Sequence, residues 1–206
     1  MDKREGIKTG VRGMSLRREN EMCEKMKKIY PEKFVSEQEI FRRIHRGDRI
    51  FISTACGEPQ YLVRALIQFV ESNPKAFFDA EVIHVWSLGV APYTEEKFKS
   101  NFRHNSFFIG NNSREAVNRG MADYTPIFLS RVPELLSRGL VPIQIALIQT
   151  SPPDEHGYMS LGVSVDIVKG RRGEREGGHR PGEFAHAPGP WGRVHSYQGC
   201  GLHPLP

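Results

Sequence analysis

The sequence predicts an α/β domain built on a parallel β-sheet. Short apolar runs alternate with polar loops and amphipathic segments, and this order of strand, loop, helix and strand is typical of parallel sheets. Residues 49–53 form a predicted strand, which leads through a polar loop over 54–60 to a predicted helix over 61–71. A second apolar run, residues 143–149, leads into a loop that contains two adjacent prolines.

Length and composition limit the class of protein. The 206 residues, 38% of them apolar, are enough for one large domain. The chain has no run of about 20 apolar residues, and its charged start lacks the apolar core of a secretory signal, so we expect no membrane partner. Cys23, Cys56 and Cys200 are far apart, which argues against a disulfide framework and against zinc and favours the cytoplasm.

The net charge of +5 is concentrated at the ends of the chain. Residues 1–49 carry 14 Lys or Arg against 9 Asp or Glu. A solvated terminal helix explains this excess better than a nucleic-acid surface does, because no arginine-rich block is interleaved with aromatic residues. We therefore interpret residues 1–33 as a basic leader that includes a solvated helix over 16–29, and we expect no nucleic-acid partner.

The remaining elements are predicted from capping and apolar periodicity. Ser36 and Glu39 have the spacing of a helix capping box, and Gly47 is the predicted end of that helix. Further along, the patterns predict strands over 80–88 and 107–109, a helix from Ser113 to Arg119 with Gly120 after it, and a helix over 127–137 that Pro133 divides.

Two loops carry the candidate functional groups. The 54–60 loop lies between a strand and a helix, where α/β sheets bind ligands, although a plain connection remains the alternative. No local feature marks Cys56 as an activated thiol. The other loop carries Asp154, Glu155 and His156, but adjacent side chains seldom point at one atom, so we expect no metal site. His45, His84 and His104 are isolated in the sequence, and we interpret them as structural or exposed. The turn over 110–115 is explained by the conformational tolerance of asparagine.

Three stretches resemble a known family. They are VSEQEIFRRIHRGDRIFISTACGEPQYLVRAL, FRHNSFFIGNNSREAVNRGMADYTPIFLSRVPELL and VPIQIALIQTSPPDEHGYMSLGVSVDIV. Together they resemble the N-terminal domain of the acetyl-CoA hydrolase/transferase family, in particular its 4-hydroxybutyrate CoA-transferase branch. The resemblance covers about residues 34–169, with the motifs in the family's order.

This resemblance implies a CoA-transferase-like enzyme of two similar α/β domains, usually a homodimer. Such enzymes move CoA between an acyl-CoA, such as acetyl-CoA, and a short carboxylate, such as 4-hydroxybutyrate or acetate. Coenzyme A is then a substrate, and no cofactor is permanently bound. A glutamate nucleophile forms a mixed anhydride and then a glutamyl-CoA thioester, beside backbone N–H groups that bind the oxyanion.

In the family, that glutamate lies in the C-terminal half. Glu58, Glu115 and Glu155 do not match its position, so we assign no catalytic residue and expect this chain to be inactive alone. Acetyl-CoA hydrolysis and a non-catalytic module that binds CoA or a partner remain alternatives. The substrate-binding residues that we expect in the two loops are Gly57, Glu58, Pro59, Gln60, Pro153, Asp154, Gly157, Ser160 and Gly162.

The composition changes abruptly at Gly170. Residues 170–206 hold 9 of the 20 glycines and 4 of the 8 histidines, and they lack Ile, Lys, Asp, Asn, Thr and Met. We predict that this tail is disordered and non-native. Back-translation one base later allows a helix and strand that would continue the family pattern. The hypothesis is therefore a frameshift near Lys169, which the genomic sequence would test.

Overall fold

The structure is a computed structural model that describes most of the chain between residues 34 and 167. The described residues are 21, 24–29, 31, 34–89, 91–151, 154, 159–162, 165, 167, 183–188 and 195–198. Its main helices are α1 (Glu37–Phe41), α2 (Gln60–Ser72), α3 (Asn111–Asn118) and α4 (Val132–Ser137). Its first five strands are β1 (Arg49–Ile52), β2 (Ala80–His84), β3 (Phe102–Ser106), β4 (Asp123–Tyr124) and β5 (Ile145–Thr150).

The strands form one sheet in the order β4-β3-β2-β1-β5, and all pairings among these five strands are parallel. β1 lies at the centre, where Phe51 pairs with Ile83 of β2 on one side and with Ala146 of β5 on the other. The predicted parallel α/β sheet is thereby confirmed. Because parallel strands all end at the same side of the sheet, the loops that follow them lie together at what we call the carboxyl edge.

Apolar side chains cover both faces of the sheet. Alternate residues of β1 point to opposite faces, so Ile50 and Ile52 pack with α1 and α2, whereas Phe51 packs with α4. Helices on both faces explain why β1 and β5 are nearly continuous in apolar residues. The first face includes Ile40, Phe41, Leu62, Leu66 and Val82, and the second includes Ile83, Val132, Leu136, Ala146 and Ile148.

The structure corrects several predicted boundaries. The third strand occupies Phe102–Ser106 and not residues 107–109, because the buried side of β3 carries polar residues that conceal its periodicity. The N-cap of α3 is Gly110 and not Ser113, which is buried inside the helix. The helix that Ser36 caps ends at Phe41, before Gly47.

Other local predictions are confirmed. The Ser36 side chain accepts a hydrogen bond from the backbone N–H of Glu39, as the capping box requires. Gly120 follows α3 with φ of +69°, a conformation that favours glycine. The segment 127–137 is divided as Pro133 indicates, into a 3-10 turn over Leu129–Arg131 and α4.

The two ends of the chain are only partly described. Residues 24–29 are helical, within the predicted 16–29 helix, and the other residues of the leader apart from 21 and 31 lie outside the described part. In the tail, where the sequence predicts disorder, the structure has β6 (Glu183–Pro188), parallel to β5, and β7 (His195–Gln198), antiparallel to β6. The rest of 170–206 lies outside the described residues. No helix in the described part is long and apolar enough to cross a membrane.

Candidate functional site at the carboxyl edge

The carboxyl edge brings the loops after β1, β2, β3 and β5 together. The chain of β1 continues beside β2, since Ala55 N–H donates to the backbone oxygen of Trp86 at 3.0 Å. The Thr54 hydroxyl accepts from the Trp86 N–H at 3.1 Å. Ala55 itself has φ of +52°, a strained value for a residue with a side chain. This strain marks the point at which the chain turns from β1 into the 54–60 loop.

Glu58 is the most heavily hydrogen-bonded side chain of this edge. It is only 4% exposed, and its Oε2 accepts from the backbone N–H groups of Leu88 and Gly89, each at 3.0 Å. The Ser87 hydroxyl donates to the same carboxylate, at 3.0 Å from either oxygen. The carboxylate is turned into the protein, where it ties the 54–60 loop to the loop after β2.

Asn112 adds the loop after β3 to this arrangement. Its side-chain N–H₂ donates to the Ser87 hydroxyl at 2.8 Å and to the Gly89 backbone oxygen at 2.6 Å. Glycine at position 110 gives Asn112 the space for these contacts. A Cβ at this position would lie 2.8 Å from Asn112 Oδ1 and 3.1 Å from the backbone oxygen of Ser87. Turn chemistry alone therefore does not account for Asn112, which links the loop after β3 to the loop after β2.

The other predicted residues of the 57–60 segment lie at the same edge. Gly57 and Pro59 are buried, and Gln60 is partly buried at the start of α2. The end of the Gln60 side chain fills the space beside Gly89, where an added Cβ would be 1.7 Å from Gln60 Nε2. The structure thus brings Glu58 and Gln60 next to the loop after β2. Cys56, in contrast, is exposed.

The loop after β5 is described only in part. Pro153 and Gly157 lie outside the described residues, whereas Asp154, Ser160 and Gly162 are exposed. Ser151 and Ser160 close the loop by two hydrogen bonds, from Ser151 N–H to the Ser160 oxygen at 2.8 Å and from Ser160 N–H to Ser151 Oγ at 2.9 Å. These contacts place Ser160 next to the end of β5, at the same edge as Glu58.

A buried polar cluster lies behind the edge, between β2 and β3. His84 Nε2 lies 3.0 Å from Ser106 Oγ and 3.1 Å from His104 Nε2. Its other ring nitrogen, Nδ1, lies 3.2 Å from the Tyr93 hydroxyl. The interpretation of these two histidines as structural is confirmed, since both are buried. They are distant in sequence, but the pairing of β2 with β3 places His84 opposite Ser106, which follows His104 by two residues.

Burial determines the protonation of this cluster. It lowers the pKa of His84 to about 3, with a smaller contribution from His104, and lowers that of His104 to about 4. Burial, followed by the charge of Glu58, raises the pKa of Tyr93, while a hydrogen bond with Ser87 acts in the opposite direction. Near pH 7 both rings are therefore neutral and the phenol keeps its proton.

The outer surface of the edge is aromatic. The Trp86 and Phe108 rings stack edge to face with centroids 6.0 Å apart, and both are exposed. Further along lie Tyr124 and Phe128, of which Phe128 is 83% exposed. Within the described residues, no group of three or more His, Cys, Asp or Glu could hold a metal ion. The edge therefore offers apolar surface and backbone groups.

Sequence reasoning missed Ser87, Tyr93 and the paired histidines. Their partners are distant in sequence, and the signal that could have found them is the register of β2 against β3. The 57–60 segment lies at the carboxyl edge, and the substrate-binding roles of its residues stay predictions.

The chain is similar to known CoA-transferases. It is 41% identical to 4-hydroxybutyrate coenzyme A transferase of Clostridium kluyveri over 141 residues, which are 68% of this chain and 32% of that protein. It is 37% identical to the succinyl-CoA:acetate/propanoyl-CoA:succinate CoA transferase of Fasciola hepatica over 140 residues, 68% of this chain and 28% of that protein. The chain thus spans about a third of the length of these relatives.

Solved structures share the fold. RipA from Yersinia pestis superposes with a TM-score of 0.61 at 23% identity, covering 71% of this chain and 36% of RipA. A 4-hydroxybutyrate CoA-transferase from Porphyromonas gingivalis gives 0.52 at 24% identity, covering 70% of this chain and 32% of that one. Residues 15–171 match the acetyl-CoA hydrolase/transferase N-terminal domain, so the chain belongs to the acetyl-CoA hydrolase/transferase family.

Proposed function

We propose that this chain is the N-terminal part of a CoA-transferase, which moves CoA between an acyl-CoA such as acetyl-CoA and a short carboxylate such as 4-hydroxybutyrate or acetate. The observation that supports this most is the carboxyl edge, where Glu58 and Asn112 tie three loops into one surface beside exposed aromatic rings. The family relationship supplies the chemistry, and the edge supplies a position at which an α/β sheet binds a ligand.

In this proposal the loops over 57–60 and 153–162 contact the substrate. Gln60 contributes surface, whereas the buried residues Gly57, Glu58 and Pro59 shape the loop from inside. A glutamate outside this chain attacks the thioester carbonyl and expels the CoA thiolate, which leaves a mixed anhydride. The thiolate then attacks the glutamyl carbonyl, releases the first carboxylate and forms a glutamyl-CoA thioester, from which the acceptor carboxylate takes CoA by the same two steps in reverse.

The test combines binding with complementation. We expect the 206-residue chain to bind acetyl-CoA in calorimetry but to form no 4-hydroxybutyryl-CoA from acetyl-CoA and 4-hydroxybutyrate. Addition of the C-terminal two-thirds of the Clostridium relative, as a separate polypeptide, is expected to give that product by chromatography. Absence of both binding and product would refute the proposal. Product from the chain alone would show that the catalytic glutamate lies within it.

The same assay separates the two alternatives. A hydrolase releases free CoA thiol from acetyl-CoA with no acceptor present, whereas a transferase passes CoA to the acceptor carboxylate, so that it forms a new acyl-CoA and free acetate and releases no CoA thiol. A binding module gives a calorimetric signal and no product in any mixture. The transferase is preferred because the relatives at 41% and 37% identity carry that name.

The frameshift near Lys169 also belongs to this proposal. The family match ends at residue 171, next to the change in composition at Gly170. Sequencing the locus tests it, because the next reading frame should encode the rest of the family pattern. A next frame without that pattern would leave the tail as native sequence.

A further inference from the structure

The 87–89 loop holds three hydrogen-bond donors that converge on one carboxylate. The N–H groups of Leu88 and Gly89 both donate to Glu58 Oε2, each at 3.0 Å. The Ser87 hydroxyl lies 3.0 Å from both oxygens of the same carboxylate. Successive backbone N–H groups that point to one side form a concave site for anions. We call these three donors the 87–89 cradle.

Asn112 holds the cradle by contacts that do not involve Glu58. Its side-chain N–H₂ donates to Ser87 Oγ at 2.8 Å and to the Gly89 backbone oxygen at 2.6 Å. The Gly89 oxygen can only accept, so the Asn112 atom that faces it is the nitrogen. Because Ser87 Oγ accepts from that nitrogen, its own hydrogen is left to donate to the carboxylate. We therefore expect the cradle to keep its shape when the Glu58 side chain is shortened.

The Glu58 side chain fills the cradle with a carboxylate that is attached to the 54–60 loop. Its backbone is held separately, since the Glu58 N–H donates to the Ala55 oxygen at 3.1 Å and the Glu58 oxygen accepts from the Gln60 N–H at 2.9 Å. Glu58→Ala removes a methylene carbon and the carboxylate, which together have the heavy-atom skeleton of acetate. Buried donors without an acceptor are costly, and hydrogen bonds to a charged acceptor are strong. A free short carboxylate therefore supplies what the shortened side chain lacks.

We propose that the 87–89 loop is a binding site for a short carboxylate, which the Glu58 side chain occupies in this structure. Glu58 is then a positioning residue, because its carboxylate fixes the Leu88 and Gly89 N–H groups and with them the shape of the loop at the carboxyl edge. When position 58 is alanine, acetate binds in place of the side chain. The effect of the loop on acetyl-CoA rests on the proposed function, whereas carboxylate binding by the cradle does not.

The test is chemical rescue of Glu58→Ala in the full chain. Urea unfolding at pH 7 is measured in sodium acetate and in sodium chloride of equal concentration. A site with a dissociation constant of about 10 mM raises the folding equilibrium constant about tenfold in about 100 mM acetate. We expect this gain for Glu58→Ala and no gain for the unmodified chain, whose cradle is filled. Equal stability of Glu58→Ala in the two salts would overturn the proposal.

Two further variants show whether the gain comes from the cradle. Leu66→Ala also leaves a buried gap, but Leu66 lies among apolar side chains in α2, so acetate should give no gain over chloride. Glu58→Ala combined with Ser87→Ala lacks one donor of the cradle, and its gain should be severalfold smaller than that of Glu58→Ala alone. An equal gain in Leu66→Ala, or an undiminished gain in the double variant, would show a general salt effect and refute the cradle.

Glu58→Gln covers the case in which Glu58→Ala folds in neither salt. The amide keeps the volume of the side chain and an oxygen for the two N–H groups, but it has no charge. Hydrogen bonds to charged acceptors are the stronger ones, so we expect the amide proton resonances of Leu88 and Gly89 to move upfield in ¹H–¹⁵N spectra. Resonances at unchanged positions would contradict a cradle that fits a carboxylate.

The positioning role is tested by calorimetry with acetyl-CoA. In chloride, Glu58→Ala should bind acetyl-CoA about tenfold more weakly than the unmodified chain, and acetate should restore most of the affinity. The unmodified chain in acetate controls for competition between the two ligands. Equal affinities in chloride, or a loss that acetate does not restore, would refute the positioning role. No binding by the unmodified chain would refute the proposed function, and the gain in stability with acetate would then decide the cradle alone.

Discussion

The paired buried histidines predict that the domain loses stability in mild acid. In an unfolded chain a histidine has a pKa near 6.5, whereas burial lowers the pKa of His84 to about 3 and that of His104 to about 4. Below pH 6.5 the unfolded state therefore takes up protons that the folded state does not. The free energy of unfolding must fall as the pH falls from 6.5 towards 4, and it should be independent of these two groups above pH 7.

The magnitude follows from the width of that window. A pKa unit corresponds to about 1.4 kcal/mol, so the roughly 1.5 units between pH 6.5 and pH 5 cost about 2 kcal/mol for each histidine. The pair should lower the free energy of unfolding by about 4 kcal/mol between pH 7 and pH 5. This is a large part of the roughly 5–15 kcal/mol that is typical of a folded domain, so unfolding near pH 5 should need much less denaturant than at pH 7.

The assay is urea unfolding of the 206-residue chain at pH 7, 6 and 5, followed by far-UV circular dichroism. His104→Gln is the informative variant, because glutamine keeps polar atoms at the site but cannot take up a proton. We expect this variant to lose about 2 kcal/mol less than the unmodified chain between pH 7 and pH 5. Identical pH dependence in the two proteins would refute the argument that these rings stay neutral in the folded state.

Two more predictions concern the carboxyl edge. Gly110→Ala should lower the free energy of unfolding by about 1–3 kcal/mol in the same urea assay, because its Cβ would lie 3.1 Å from the backbone oxygen of Ser87. Gly89→Ala should cost less, since the atoms nearest to its Cβ belong to the movable end of the Gln60 side chain, and equal losses would contradict this distinction. Phe128→Ser should leave the unfolding free energy within about 0.5 kcal/mol and reduce light scattering at high concentration, because the ring is 83% exposed. Unchanged scattering would show that the aromatic surface does not drive association.

The sequence predicts the central part of this fold because local and tertiary signals agree there. β1 and β5 are apolar runs that both faces of the sheet bury, and Ser36 meets the capping pattern of α1. β3 was misplaced because His104 and Ser106 occupy its buried positions, where the periodicity rule expects apolar residues. Such polar positions can be assigned to a buried strand only when the register of β3 with β2 is known.

The candidate site shows the same limit. Its location was predictable, since a loop between a strand and a helix at the carboxyl edge is where α/β sheets bind ligands. The inward direction of the Glu58 side chain was not predictable from the sequence, because its partner Ser87 lies 29 residues away. That contact forms only because β2 lies beside β1 in the sheet. A glutamate in a polar loop would be expected to face solvent, and only the donors at 87–89 explain why this one is buried.

The hydrogen bonds that hold the carboxyl edge together come from three segments of the chain. Glu58 follows β1, Ser87 and Gly89 follow β2, and Asn112 lies in the first turn of α3. The contacts that join these loops are therefore all made by described residues between 58 and 112. The geometry of the edge is therefore assembled before any further polypeptide contributes to it. A surface that is already ordered loses little conformational entropy when it binds. For that reason we expect the isolated chain to retain the proposed substrate-binding surface.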